Sequence, residues 1–331
     1  MLKLPSLGAL KNTLGALKNL RFPGSTRRAP GWLCINLWPD RVDVSHVVAA
    51  AKARPEITLC HSYRKEGGDA ATLARLRKEL QLDRYRCTTL LRNGEYQVVQ
   101  ADAPNVPAQE ARSAVRWRIK DMIDYPVEAA AVDAWFIPQP EKAAGRTPQM
   151  LAVAARNEVI AATVKPFNDA DIALEVIDVP ELAQRNFAHC LEAERRGLAL
   201  LAFDEQSTLL TFTSGGELYQ HRRIDVSITS LSSAFPDQRS ALYDRLVLEL
   251  QRSLDHFDRQ FHHVAVAKVV VTPVPGADDL GEHLAANLDV PVELLYLSEI
   301  MDFPRIPELH EPLRQAQCLQ LIGAAMRGEA A

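Results

Sequence analysis

Twice along this chain, three short strand-like runs follow one another across tight turns and then give way to alternating helices and strands. The first set is CINLW, a Pro39-Asp40 turn, RVDVSHVV and EITLCHSY; the second is GLALLAFD, STLLTFT and, after a Gly215-Gly216 turn, ELYQHRRI. Two meanders, each continued by αβ units, predict an internally duplicated α/β fold of two mixed-sheet lobes with a cleft between them. Behind the first meander the periodicity predicts a helix over Asp69–Leu80, with Leu73, Leu76 and Leu80 on its apolar side. RCTTLLR and EYQVVQ flank Asn93-Gly94, a two-residue hairpin signal. A helix from Pro107 to about Ile123, strands in AAAVDAWFI and MLAVAA around a loop at Gln139–Gln149, a helix from Asn157, the strand IALEVID and a helix from Pro180 to about Leu191 complete the first half. Behind the second meander a long helix runs from about Gln238 to Phe261, where Tyr243, Val247, Leu250, Leu254, Phe257 and Phe261 recur at steps of three and four. The strand VAKVVVTPVP, a helix at Ala277–Leu288, the strand VELLYL and a helix at His310–Met326 follow. The expected division is an arm at 1–30, a first lobe at 31–196 and a second at 197–331.

A chain of 331 residues, 47% hydrophobic and 24% charged, has the makeup of a globular protein and excludes collagen, coiled-coil and wholly disordered classes. Its five cysteines (Cys34, Cys60, Cys87, Cys190, Cys318) are scattered without a CxxC pair, which argues against a disulfide framework or zinc site and fits a reducing compartment. The longest uncharged apolar runs, such as Ala29–Pro39, stop near eleven residues, short of the ~18 a membrane span requires. The net charge of −4 conceals a division: residues 1–31 carry six Lys and Arg and no Asp or Glu, so the rest holds 32 basic against 42 acidic residues. An acidic body argues against nucleic-acid binding.

The basic arm contains LGALKN twice, at Leu7–Asn12 and Leu14–Asn19, seven residues apart. On a helix Leu7, Leu10, Leu14 and Leu17 form one stripe, and Lys11 and Lys18 stand off it. Gly8 and Gly15 each cost about 1 kcal/mol of helix relative to Ala, so such a helix forms only against a partner or a membrane surface. Three readings follow for the arm: a leader without a specific role, a contact with anionic lipid, or a contact with a partner protein. Its lysines are spread along the stretch rather than gathered ahead of an apolar core, which is not the layout of a cleaved signal peptide.

GxxxxGK[ST], GxSxG and HExxH are absent, as is a GxGxxG after a strand. DHFDRQFHH places Asp258 and His262 at i, i+4, but Phe257 and Phe261 claim the core side of that helix, so the pair reads as a solvated face and no metal site is expected. Trp32, Trp38, Trp117 and Trp135 read as core or interface residues, and RSAVRWRIKDMID as a solvated face in which Arg116 and Lys120 pair with Asp121 and Asp124.

The duplicated meanders, together with RWRIKDMID (Arg116–Asp124), IDVPELAQRN (Ile177–Asn186) and LELQRSLDHF (Leu248–Phe257), resemble the MshI-type proteins of MSHA pilus biogenesis. More broadly they resemble PilM and the cytoplasmic part of GspL. The resemblance covers roughly residues 31–325 and implies an actin-like (ribonuclease H-like) ATPase fold. It further implies a cytoplasmic component, peripheral to the inner membrane, of a type IV pilus or type II-like assembly platform, docked to the short tail of a bitopic PilN- or MshJ-like partner.

Actin-like folds hold ATP between lobes, where small residues let the backbone of two meander turns approach the phosphates. Measured against that pattern, the first turn here is Asn36-Leu37-Trp38-Pro39-Asp40-Arg41, with bulk and a missing N–H where phosphate would lie. The second, Asp204-Glu205-Gln206-Ser207-Thr208, keeps the Asp and hydroxyls without the glycine, and Thr272-Pro273-Val274-Pro275-Gly276 replaces the adenosine-side Gly-Gly turn. Glu249-x-x-Arg252 matches the Glu-x-x-Lys/Arg element for adenine and ribose, and reads equally as a helix-surface ion pair. The expectation is a scaffold without catalytic residues or a cofactor, a pseudo-ATPase. The alternative is an ATP-switched member of the same machinery, with Mg-ATP at Asp204, Ser207, Thr208, Glu249 and Arg252.

Overall fold

The structure is a computed structural model that describes residues 2–3, 28–49, 54–140, 147–193 and 196–328. The arm residues Leu7, Leu10, Lys11, Leu14, Leu17 and Lys18 lie outside the described residues. In chain order the first lobe contains β1 (Leu2–Lys3), β2 (Trp32–Leu37), β3 (Arg41–Val48), β4 (Glu56–Arg64), α1 (Asp69–Leu80), β5 (Arg86–Leu90), β6 (Tyr96–Asp102), α2 (Ala108–Ala114), β7 (Ala130–Phe136), β8 (Gln149–Arg156), α3 (Asn157–Asp169) and β9 (Leu174–Asp178). Two short helices, α4 (Pro180–Arg185) and α5 (Ala188–Leu191), lead onward. The second lobe contains β10 (Gly197–Phe203), β11 (Thr208–Ser214), β12 (Glu217–Ile224), α6 (Ile228–Ser233), α7 (Pro236–Gln260), β13 (Val266–Val271), α8 (Leu280–Asn287), β14 (Val292–Leu294) and α9 (Leu297–Ile300), and α10 (Pro312–Ala325) closes the chain.

The duplication is explicit in the strand order. One sheet runs β4-β3-β2-β5-β9 and the other β12-β11-β10-β13-β14, with the meander antiparallel and these last two strands parallel in each, and β1 adds antiparallel to the β9 edge of the first. The central strand β10 is GLALLAF, buried at every position, as an apolar run covered on both faces by helices must be. In α7 the predicted stripe is buried at Tyr243, Val247, Leu250 and Phe257, with Leu246 added and Leu254 only half-buried, and the Phe257 ring stacks on Phe212 of β11 at 4.7 Å.

Four expectations are corrected. β5 and β6 do not form a hairpin, although Gly94 supplies the turn with φ +87°. β5 already has β2 and β9 on its two edges, so no edge is left for β6, which pairs instead with β8. The order β6-β8-β7 makes a separate three-stranded sheet inserted in the first lobe, covered by Ala111, Val115, Ile119 and Ile123 from the segment between β6 and β7. In that segment the helix expected to reach Ile123 ends at Ala114 and continues as 3-10 and turn structure, because the Arg116 guanidinium donates to the carbonyls of Val127 (2.8 Å) and Ala130 (3.4 Å). Arg116 therefore does not pair with Asp121 or Asp124. The helix expected over Pro180–Leu191 is broken at Asn186 and Phe187, where the Asn186 amide turns to donate to the Gly323 carbonyl of α10 at 2.8 Å.

α10 returns to the first lobe, packing on α4 and on β2 and β3. Nine of its residues are buried, among them Cys318, Leu319, Leu321, Ile322, Gly323, Ala324 and Ala325. The approach is close: a Cβ built on Gly323 would stand 2.3 Å from the Ala183 carbonyl oxygen and 2.9 Å from Phe187.

Candidate functional site

Between the lobes lies a cavity of about 800 Å³. Its walls are the β2–β3 turn, the end of β5 with the turn after it, α3, the β10–β11 turn and α10. These are the two meander turns at which an actin-like fold would hold phosphates, so the chemistry of the turns decides what the cavity accepts.

Both turns are closed from within, the β10–β11 turn by a side chain and the β2–β3 turn by its own backbone. In the β10–β11 turn, Asp204 Oδ1 accepts the backbone N–H groups of Gln206 (2.7 Å) and Ser207 (2.6 Å), and Asp204 N–H donates to Ser207 O (2.9 Å). A carboxylate thus occupies the donors that a phosphate would need. In the β2–β3 turn, Trp38 N–H donates to Arg41 O at 2.9 Å, Pro39 has no N–H, and Asn36 Oδ1 accepts Leu90 N–H at 3.1 Å, tying β2 to β5. Arg41 lies 5.0 Å over the Trp38 ring, donates to Asp43 at 3.2 Å and reaches across the cleft to Glu205 at 3.7 Å.

Four cations line the cavity, and each has an acidic partner. Lys65 pairs with Asp69, Arg92 with Glu95, Arg41 with Asp43 and Glu205, and Arg223 with Glu181 at 3.0 Å. Five acidic side chains share the lining (Asp43, Asp69, Glu95, Asp204, Glu205), so a polyanion would meet a wall of net negative charge with its cations taken.

The predicted nucleotide residues divide. Asp204 lines the cavity, and Ser207 stands behind it with Oγ 3.3 Å from Asp204 Oδ2. Thr208 is fully buried and donates to Val226 O at 2.5 Å. Glu249 and Arg252 lie on α7 outside the lining, in an ion pair of 3.5 Å, and Glu249 also pairs with Arg222 of β12.

What the sequence reading missed is the joint beside the cavity, where IDVPELAQRN supplies one buried polar residue after another. Asp178 pairs with Arg327 beyond α10 and caps Val179 N–H at 2.8 Å. Glu181, 1% exposed, accepts Tyr96 O–H of β6 at 2.5 Å and Arg223 of β12 at 3.0 Å, while Arg223 also donates to the Tyr96 oxygen at 2.8 Å. Gln184 donates to the carbonyls of Leu200 (2.6 Å) and Leu209 (3.1 Å) and to the Thr211 hydroxyl (3.0 Å) in the second sheet. The run of Asp, Glu, Gln and Asn on so short a helical stretch was the available signal, since polar side chains aimed into a core must each find a partner.

His221 of β12 is half-buried against this joint, with Nδ1 4.0 Å from Glu181, and its lost solvation lowers its affinity for a proton. Burial does the same to His46, held by Thr58 at 2.5 Å and the Pro30 carbonyl at 2.9 Å. An unfolded histidine takes up a proton near pH ~6.5, before these native rings do. Below that pH the unfolded chain holds more protons, so stability falls as pH is lowered. Urea midpoints across the acid side of neutrality are expected to decline, less steeply for His221→Gln. An unchanged slope in that variant removes His221 from the account.

No family model and no curated protein matches the chain. Among solved structures, a PilM-PilN type IV pilus biogenesis complex matches with a TM-score of 0.67 at 22% identity, over 91% of this chain and 99% of that one. The chain has an actin-like ATPase fold. The expected fold class is borne out, and the three-stranded sheet β6-β8-β7 is inserted within its first lobe. Weaker matches are the cytoplasmic domain of EpsL, an inner-membrane component of the type II secretion system of Vibrio cholerae (14% identity, 90% and 95% of the two chains, TM-score 0.46), and a Bacteroides thetaiotaomicron protein with an actin-like ATPase fold and unknown function (9%, 82% and 92%, TM-score 0.45). Among the described residues no helix is long and apolar enough to cross a membrane.

Proposed function

We propose that this actin-like protein is a non-enzymatic scaffold of a type IV pilus, MSHA-like, or type II secretion-like assembly platform, with the MshI-type proteins as its group. The observation that carries the reading is the self-occupied cleft, in which the Asp204 carboxylate holds the turn amides and Arg41 bridges the lobes to Glu205. Such a site keeps the actin-like architecture for its shape rather than for hydrolysis. The fold match to a PilM-PilN complex supports a bitopic inner-membrane partner of the PilN or MshJ kind, which this chain would bind through the partner's cytoplasmic tail. Strand addition is one geometry for that contact: the β9 edge takes an extended segment antiparallel, here this chain's own Leu2–Lys3 paired with Ile177 and Val176, which a partner's tail would displace. The protein would then work on the cytoplasmic side of the inner membrane, with the basic arm as a lipid contact.

Isothermal titration of the full chain with Mg-ATP tests the scaffold reading. No binding heat is expected at micromolar nucleotide. Micromolar affinity would replace it with the nucleotide-switched alternative.

A further inference from the structure

The strand β9 ends the first sheet, and its outer side is covered by this chain's own backbone. β5 pairs with it on one side, and on the other, among the described residues, only Leu2–Lys3 does, opposite Ile177 and Val176. Leu174, Val176, Ile177 and Asp178 are all buried. A buried edge strand needs such a cover, because its outward N–H and C=O groups otherwise go unpaired and invite another chain. On its far side β1 packs against β7, the edge strand of the inserted sheet, which is not paired with the first sheet. The cover therefore lies in a slot between two sheet edges.

The same segment is fastened to β9 a second time. Arg28 Nη1 donates to Glu175 Oε1 at 2.8 Å, next to Val176, and Arg86 holds the other Glu175 oxygen at 3.2 Å. Ala29 N–H donates to Arg84 O at 2.7 Å. Residues 4–27, with both copies of LGALKN, thus join two neighbouring points on one strand. Closing that loop costs conformational entropy, and the return is small. A ladder of two adjacent antiparallel pairs holds one hydrogen-bonded pair, and each backbone hydrogen bond is worth about fivefold in an equilibrium. β1 covers two of the five residues of β9, so an extended segment that paired along more of the strand would outcompete it.

We propose that Leu2–Lys3 is a displaceable plug: this chain's own backbone keeps the slot between β9 and β7 filled, and an extended tail from a partner enters by taking its place. Displacement turns residues 4–27 from a loop held at both ends into a segment held at Arg28 alone. The inference rests on the strand-addition reading of the partner contact and adds to it an internal competitor.

Two measurements on the full chain test it. In Lys3→Cys with Val176→Cys the new thiols stand directly opposite in the antiparallel pairing, within the reach of a disulfide. Oxidation of dilute protein with copper phenanthroline should join positions 3 and 176 within one chain, as located by mass spectrometry. No such bond overturns the plug, and a bond between two chains assigns the slot to a second copy instead. The second measurement is a polarisation titration with a fluorescein-labelled peptide of the sequence MLKLPSLG, copied from residues 1–8. Proline has no N–H and cannot complete the ladder, so Leu2→Pro with Lys3→Pro empties the slot. That variant is expected to bind the peptide at least about fivefold more tightly than the parent, and a peptide with proline at both positions should bind to neither. Equal affinity of parent and variant for MLKLPSLG overturns the plug while leaving β9 as a docking edge. Binding to neither protein removes strand addition and the plug together, an outcome separate from the Mg-ATP titration that decides the scaffold reading.

Discussion

Arg223→Met is expected to lower folding stability by about 3–5 kcal/mol, the usual cost of leaving one member of a buried ion pair alone. Glu181 is the reason: its carboxylate is 1% exposed and has Arg223 and Tyr96 as its hydrogen-bond donors. Methionine fills much of the volume and supplies no charge, so the deficit reads out the stranded carboxylate rather than a cavity. Chemical denaturation of the two proteins measures it directly. The double variant Arg223→Met with Glu181→Leu should recover most of the loss, because two matched apolar groups no longer strand a charge. A single-variant deficit below about 1 kcal/mol, the scale of an exposed ion pair, would show that water reaches the Glu181 carboxylate in solution.

The second large effect is expected at Gly323→Ala. A methyl group there would lie 2.3 Å from the Ala183 carbonyl, so α10 must retreat from α4, and the Asn186 bond to Gly323 O goes with it. Overpacking of this kind costs about 1–3 kcal/mol and the lost hydrogen bond about 1 kcal/mol more. The interlobe joint should also loosen, visible as faster amide exchange in α4 and α10 than in β10. Gly328→Ala is the matched control, since nothing lies within 4 Å of a Cβ built at that position. If both alanines leave the denaturation midpoint unchanged, the helices stand further apart in solution than this packing requires.

The fold was legible because its elements advertise different periods. The stripe from Tyr243 to Phe257 carries a helix period, GLALLAF and STLLTFT are short apolar runs that their length and flanking turns mark as strands, and the duplication makes the two halves check each other. The Asn93-Gly94 turn misled because a turn signal describes four residues and says nothing about whether the strand before it has a free edge. β5 had none. The helix expected to reach Ile123 likewise lost its later turns to a guanidinium bonded eleven and fourteen residues downstream, a contact outside any local window. At the candidate site, the bulky and proline-bearing turns were readable from sequence, while the two devices that fill them were not. The Asp204 side chain folding back onto its own loop, and Arg41 meeting Glu205 from the other lobe, depend on where the meanders face each other.

The return of α10 to the first lobe has a consequence for how the protein is made. Asp178 is buried, and the arginine that neutralises it, Arg327, is 149 residues further along the chain. On the ribosome, the first sheet is finished at β9 while the helix that covers β2 and β3 is still unsynthesised, so the nascent first lobe waits with an uncovered apolar face and an unmatched carboxylate. Domains generally fold in order of emergence, but here that order is interrupted. The first lobe is completed only by the last helix, and a polypeptide stopped short of it should be recognised by chaperones as unfinished even with every strand of both sheets already made.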